Sequence, residues 1–243
     1  MDLKETLDFF AKNLIDWYLD NKRDLPWRST KDPYFIWLSE IILQQTRVAQ
    51  GTPYYLAFTS AFPDVKSLAG APQEKVLKLW QGLGYYSRAR NLHTAAKYIV
   101  SELSGEFPDT YEGLLDLKGV GDYTASAVGS ICFDLPTAVV DGNVYRLLSR
   151  YFDISTPIDS TNGIKEFQSL ANELISSTNP DTCTKYSVFE SSSVTNPNPL
   201  DSLKNFTVPF FTMINIFVNN TSNIILLLVG FTKVFYLSIL FNI

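Results

Sequence analysis

Leu117-Lys118-Gly119-Val120-Gly121 constrains this chain more than any other stretch. Glycines at alternate positions permit a tight turn that a residue with a Cβ resists. Helical patterns flank the pentapeptide, so the turn joins two helices. It leaves backbone N–H groups beside a fresh helix N-terminus, a geometry that suits a phosphate oxygen. A plain helix–helix connection uses the same residues. Twenty residues after Gly121 stands Asp141, within Val139-Val140-Asp141-Gly142-Asn143-Val144. It sits at a helix start, where the dipole favours a carboxylate. A plain N-cap also accounts for it, yet hairpin, helix and aspartate in series are rarer than either piece.

Residues 1–180 read as helices throughout. Leu3, Leu7, Phe10, Leu14 and Trp17 recur at helical spacing. Asp32-Pro33 pairs an N-cap with Pro at the first helical position and predicts a helix to about Arg47. Thr52-Pro53 repeats that signal. Pro72 opens a helix that stops near Gly82, and residues 85–103 read as one long helix stopped by Gly105. Thr110 starts a short helix and Asp122 caps the next. Residues 143–152 and 162–176 supply the last two. No alternating run argues for strands. The fold class is all-α with short loops.

With 243 residues, 46% of them hydrophobic and 19% charged, the chain can bury a sizeable core and is neither disordered nor collagen-like. The net charge of −5 argues against nucleic-acid partners only weakly, because phosphate binding needs just a local basic face. Two cysteines, Cys132 and Cys183, cannot alone ligate an iron–sulfur cluster or form a disulfide framework. The opening residues lack the charged and apolar pattern of a signal peptide, so none is expected, and a cytoplasmic, nucleoid-associated setting is expected.

The composition breaks near Pro180. Residues 181–243 carry only Asp181, Lys185, Glu190, Asp201, Lys204 and Lys233 as charges, so they are net neutral. The expected division is a domain over 1–180 and an atypical tail over 181–243. Residues 224–241, interrupted by Lys233, are just long enough to be considered as a membrane span. Three origins are open for the tail: a shifted reading frame around residues 181–185, a membrane anchor, or a divergent soluble segment. The abrupt end of motif quality at Pro180 favours the first.

Further motifs carry a family resemblance. They are Leu25-Pro26-Trp27-Arg28, Trp37-Leu38-Ser39-Glu40-Ile41-Ile42-Leu43-Gln44-Gln45-Thr46 and Gly82-Leu83-Gly84-Tyr85-Tyr86-Ser87-Arg88-Ala89-Arg90-Asn91-Leu92-His93. Together with the hairpin and the Asp141 segment, they make the chain resemble the helix–hairpin–helix DNA glycosylases of the MutY type. The match runs in order over about residues 5–180. The resemblance implies a helix–hairpin–helix glycosylase fold, incomplete here, and base excision repair by hydrolytic removal of adenine mispaired with 8-oxoguanine or guanine. The implied partner is double-stranded DNA with such mispairs, bound by a monomer without an obligate protein partner.

Breaking an N-glycosidic bond needs a proton for the leaving base and a negative charge for the cationic sugar. Glu40 sits among Trp37, Leu38, Ile41 and Ile42, surroundings that disfavour the carboxylate and hold a proton near neutral pH. Periodicity alone reads it as a surface Glu on an amphipathic helix. The resemblance makes it the acid that protonates adenine and assists the attacking water. Asp141 is then the ionised stabiliser of the sugar, with Asn143 helping to hold it or the backbone. Tyr123 approaches the reacting centre by resemblance, and is otherwise an aromatic core residue. Lyase relatives of the endonuclease III kind carry Lys there, an amine nucleophile. Tyr in its place implies base removal without efficient strand cleavage.

The base must leave the stack to react. By resemblance, Gln45 and Tyr85 push into the duplex, and Arg23, Leu25, Trp27 and Arg28 line the adenine pocket. Without the resemblance, Trp27 and Tyr85 read as core. Gly119, Val120, Gly121, Arg47, Arg88, Arg90, Arg146 and Arg150 are expected at the DNA backbone, although a solvated basic face explains the arginines as well. Arg146 and Arg150 share one helix face. His93 is expected to be a satisfied helix residue and Cys132 a buried thiol. The family continues past this point with a further helix, a 4Fe–4S cluster on cysteines spaced C-x6-C-x2-C-x5-C, and a domain that recognises 8-oxoguanine. None of these segments matches residues 181–243, so no cofactor is expected in this chain, and weak or absent activity is. A related glycosylase with another target base, a DNA-binding module that has lost catalysis, and a membrane-tethered protein remain as alternatives.

Overall fold

Asp32 opens the central helix of the fold. Its Oδ1 accepts from the Tyr34 N–H at 2.9 Å, and Pro33 takes the first helical position. That helix, α2 (Pro33–Leu43), has eight of its eleven residues buried, so it runs through the core rather than along the surface. The computed structural model describes residues 3–176. These lie within one compact unit, Met1–Val194. Residues 181–243, including Cys183 and the apolar 224–241 stretch, lie outside the described residues.

The elements are α1 (Leu3–Asn21), a 3-10 turn (Pro26–Arg28), α2, α3 (Val48–Ala61), α4 (Val65–Ala69), α5 (Gln73–Leu79), α6 (Ser87–Glu102), α7 (Tyr111–Leu115), α8 (Asp122–Phe133), α9 (Gly142–Tyr151) and α10 (Thr161–Ser176). No strand occurs among the described residues, as the sequence predicts. No described helix is long and apolar enough to cross a membrane.

Two large apolar clusters form among the described residues, beside a small one around Tyr18. The larger draws on α2 to α8, with Trp37, Leu38, Ile42, Phe58, Trp80 and Ile99 fully buried. Phe58 meets Trp80 edge-on at 5.7 Å. The smaller joins Leu7 and Phe10 of α1 to Leu148 of α9 and to Phe167, Ala171 and Leu174 of α10. The segment between α8 and α9 ties the two together. Thr137 Oγ1 donates to the Ser126 carbonyl of α8 at 3.3 Å. The next residue, Ala138, donates its N–H to Asn172 Oδ1 of α10 at 3.2 Å and accepts from Gln168 Nε2 at 3.2 Å. The chain therefore reaches Asp141 from a doubly fixed segment.

Several boundaries differ from expectation. The helix predicted to reach Arg47 ends at Leu43, and Arg47 caps α3 instead. Thr52-Pro53 does not start a helix: α3 begins one turn earlier, where the Gln50 and Gly51 N–H groups bond to the Arg47 carbonyl. Residue 85 is not helical, and α6 starts at Ser87. Gly121, not Asp122, occupies the N-cap of α8. The short α4 was not expected from the sequence, though Asp64 and Ser67 form a capping box there.

Candidate functional site

Glu40 lies in the third turn of α2 and is 6% exposed. Its helix is buried nearly all round, which excludes the surface-Glu alternative. Burial is the larger influence on its carboxyl and pushes it up to about 7. Arg28 acts in the opposite direction and is the smaller influence. Glu40 thus holds a proton through mildly acidic pH and yields it near neutrality, the property a general acid needs.

The 3-10 turn places Arg28. Leu25 accepts the Arg28 N–H at 2.9 Å and packs against the main core. Trp27 is buried beside it, edge-on to Tyr55 at 5.1 Å. The Arg28 guanidinium lies over the Tyr18 ring at 5.6 Å and donates from Nη1 to the Arg23 carbonyl at 3.3 Å. Arg23, Leu25, Trp27 and Arg28 are therefore one local cluster joined to Glu40 through the Arg28 charge. Tyr18, from α1, belongs to it and was not expected from the sequence.

Asp141 is the N-cap of α9. Its Oδ1 accepts from the Asn143 and Val144 N–H groups, both at 2.9 Å. Asn143 Nδ2 donates to Asp141 Oδ2 at 3.4 Å, and Asn143 Oδ1 accepts from Arg146 Nη2. The aspartate is oriented by backbone and side chain together. Arg146, expected at the DNA backbone, is hooked onto Asn143 but stays exposed, as does Arg150.

The hairpin forms between α7 and α8. Gly119 takes φ +86°, and a Cβ there would stand 2.8 Å from Asn91 Cβ. Gly121 has extended backbone and open space around it. The Val120 N–H bonds to the Leu117 carbonyl at 3.0 Å. Tyr111 Oη donates to Asp122 Oδ1 at 2.7 Å and braces the turn. Burial, then this bond, pushes the Tyr111 hydroxyl up to about 12. Lys118, Gly119 and Gly121 face solvent, and Tyr123 is half-buried.

Gln45 and Tyr85 both occupy the left-handed region, at φ 54° and 46°. Gln45 is exposed and Tyr85 is 67% exposed, so Tyr85 is not a core residue. Gln44 Nε2 reaches Thr124 Oγ1 of α8 at 3.4 Å, tying this turn to the hairpin helix. Arg47 and Arg90 are exposed. Arg88 is not: its guanidinium bonds to the protein's own carbonyls, in place of the phosphate-facing role suggested by the sequence.

His93 is 1% exposed, beside the backbone of Leu68, Ala69 and Ala71, and its Nε2 lacks a hydrogen-bond partner among the described residues. It is therefore not fully satisfied as expected. Burial first, then the nearby Lys97 charge, holds it below its ordinary value. Cys132 is part-exposed at the edge of the main core rather than buried. Two cysteines in the whole sequence do not fit a four-thiolate cluster, so no step here runs through one.

Residues 38–173 match the HhH-GPD superfamily base excision DNA repair protein. The adenine DNA glycosylase of Mus musculus is 44% identical over 180 residues, covering 70% of this chain and 35% of that protein. That of Homo sapiens is 43% identical over 180 residues, covering 70% and 33%. That of Buchnera aphidicola subsp. Baizongia pistaciae is 42% identical over 147 residues, covering 60% and 42%. The chain thus spans between 33% and 42% of the length of these curated relatives. Among solved structures, a thermostable thymine-DNA glycosylase aligns with TM-score 0.66 at 27% identity, covering 76% of this chain and 87% of that one. A non-covalent endonuclease III–DNA complex aligns with TM-score 0.59 at 19% identity, covering 79% and 84%, a likeness of fold alone.

Proposed function

The chain belongs to the HhH-GPD superfamily of base excision DNA repair proteins, and from that premise we propose that it removes adenine from DNA by hydrolysis of the N-glycosidic bond. The observation that carries this is the burial of Glu40 inside α2, which pushes its carboxyl up to about 7. The relatives named for adenine are 36–44% identical, against 27% for the thymine-DNA glycosylase, which favours adenine as the base.

Glu40 donates its proton to the adenine ring as the bond to the sugar breaks, so the base departs neutral. The remaining carboxylate then takes a proton from the water that adds to the sugar carbon. Asp141, fixed by two backbone N–H groups, supplies negative charge beside the cationic sugar. The products are free adenine and an abasic site. By resemblance Tyr123 takes the place of the lyase relatives' amine, and the strand then stays intact until alkali is added. Gln45 and Tyr85 fill the space left by the extruded base, and Tyr85 offers its ring to the opposite purine. The hairpin, Arg47 and Arg90 hold the phosphates. The substrate is adenine opposite 8-oxoguanine or guanine.

The test incubates excess full chain with a duplex carrying one A opposite 8-oxoguanine, then adds alkali. A slow break at that adenine, lost in Glu40→Gln, is the expected result. An equal break in Glu40→Gln, or a break at bases other than that adenine, would overturn the assignment.

A further inference from the structure

Two residues of the proposed duplex-facing pair share one support. Gln45 and Tyr85 are forty residues apart, on separate turns, and neither is glycine although both have positive φ. Something outside each turn must hold that backbone. Arg88, in the first turn of α6, reaches both. Its Nη1 donates to the carbonyls of Ile41 at 3.1 Å, Ile42 at 2.9 Å and Gln44 at 2.6 Å. Both terminal nitrogens lie 3.3 Å from Thr46 Oγ1. These partners bracket Gln45 on either side. On the other turn, Nη2 donates to the Leu83 carbonyl at 3.4 Å, and the guanidinium lies over the Tyr85 ring at 5.9 Å. Its position is fixed by Trp80, whose ring is 5.0 Å away and whose Nε1 donates to the Gly84 carbonyl at 2.9 Å.

We propose that Arg88 is a positioning residue that locks the Gln45 turn and the Tyr85 turn into one rigid wedge for the duplex. A simple cap on the end of α2 needs only the Ile41 and Ile42 carbonyls. The reach to Leu83 and Tyr85 goes beyond a cap. The planar fork serves several acceptors in fixed directions, which a lysine ammonium on a flexible stem does not. The inference rests on Gln45 and Tyr85 being the pair that enters DNA.

The experiment measures anisotropy of labelled duplexes with the full chain, comparing A·8-oxoguanine with A·T. Phosphate contacts are common to both duplexes, so their ratio reports the contacts made only at the mispair, the wedge among them. Arg88→Lys keeps the charge and should lower the ratio about tenfold, with A·T affinity held within about twofold. Thr46→Val removes one shared acceptor and should lower it in the same direction by about threefold. A ratio within about twofold of wild type in Arg88→Lys overturns the proposal; should that variant fail to fold, an unchanged ratio in Thr46→Val overturns it. Tyr85→Ser separates the premise from the inference. If Tyr85→Ser leaves the ratio unchanged, the wedge assignment itself falls. If Tyr85→Ser lowers it and Arg88→Lys does not, only the role of Arg88 falls.

Discussion

The Arg28 guanidinium and the burial of Glu40 act in opposite directions on the same carboxyl. Burial prevails and carries it up to about 7, while Arg28 draws it back. Removing the guanidinium leaves burial unopposed. Arg28→Met should therefore move the Glu40 midpoint higher still, and shift the alkaline limb of any base-release profile to higher pH. An unmoved midpoint, followed by NMR of the carboxyl carbon, would show that the two groups do not communicate.

The raised midpoint has a stability consequence. Between pH 4.5 and about 7 the folded chain keeps the Glu40 proton that the unfolded chain has lost. The folded state binds more protons, so stability falls as pH rises through that window. Glu40→Gln escapes this penalty. The variant should gain on the order of 3 kcal/mol over wild type at pH 8 and much less at pH 4.5. Urea unfolding at the two pH values measures the difference, and a gain independent of pH would contradict the assignment.

Asp141 has two separable duties. As an N-cap it bonds to the Asn143 and Val144 N–H groups. Asn caps as well as Asp, whereas Ala forfeits about 0.5–2 kcal/mol. Asp141→Asn should therefore melt near wild type yet lose base release, while Asp141→Ala loses both. Loss of stability in both variants alike would mean that the carboxylate charge matters to the fold rather than to the reaction.

The two hairpin glycines are not equivalent. Gly119 combines φ +86° with a would-be Cβ 2.8 Å from Asn91, while Gly121 has an ordinary φ and open space. Gly119→Ala should cost at least about 1–2 kcal/mol and weaken duplex affinity. Gly121→Ala should leave the melting temperature nearly unchanged. Thermal denaturation of the pair decides it, and equal losses would contradict the geometry.

What the sequence disclosed follows from how local each signal is. Asp32-Pro33, Thr110 and Asp141 are side chains that bond to their own helices, and all three caps are found where expected. Pro53 carries an ambiguous signal because a proline inside a helix looks like one at its start; α3 tolerates it, and Thr52 Oγ1 bonds back to the Val48 carbonyl at 2.8 Å. The left-handed turns at Gln45 and Tyr85 had no local signal, since their support comes from Arg88 on another element. For the same reason the sequence alone reads Arg88 as a phosphate ligand. An inward guanidinium and an outward one have the same sequence signature. Tyr18 has no sequence signal, because it joins Arg28 only through tertiary packing.

The break at Pro180 makes a genetic prediction independent of chemistry. A shifted frame around codons 181–185 should leave a Cys-x6-Cys-x2-Cys-x5-Cys segment readable in one of the gene's other two frames. Absence of such a segment from both would remove the frameshift explanation of the tail.

The most direct measurement is the titration of Glu40 itself. Carbon-13 NMR of the full chain labelled at glutamate carboxyls, with the Glu40 signal assigned by its loss in Glu40→Gln, reads the proton without relying on turnover. A midpoint near 7 is the predicted result. A midpoint in the usual carboxylate range near 4.3 would contradict it, because an acid already ionised at neutral pH has no proton to give to a departing base.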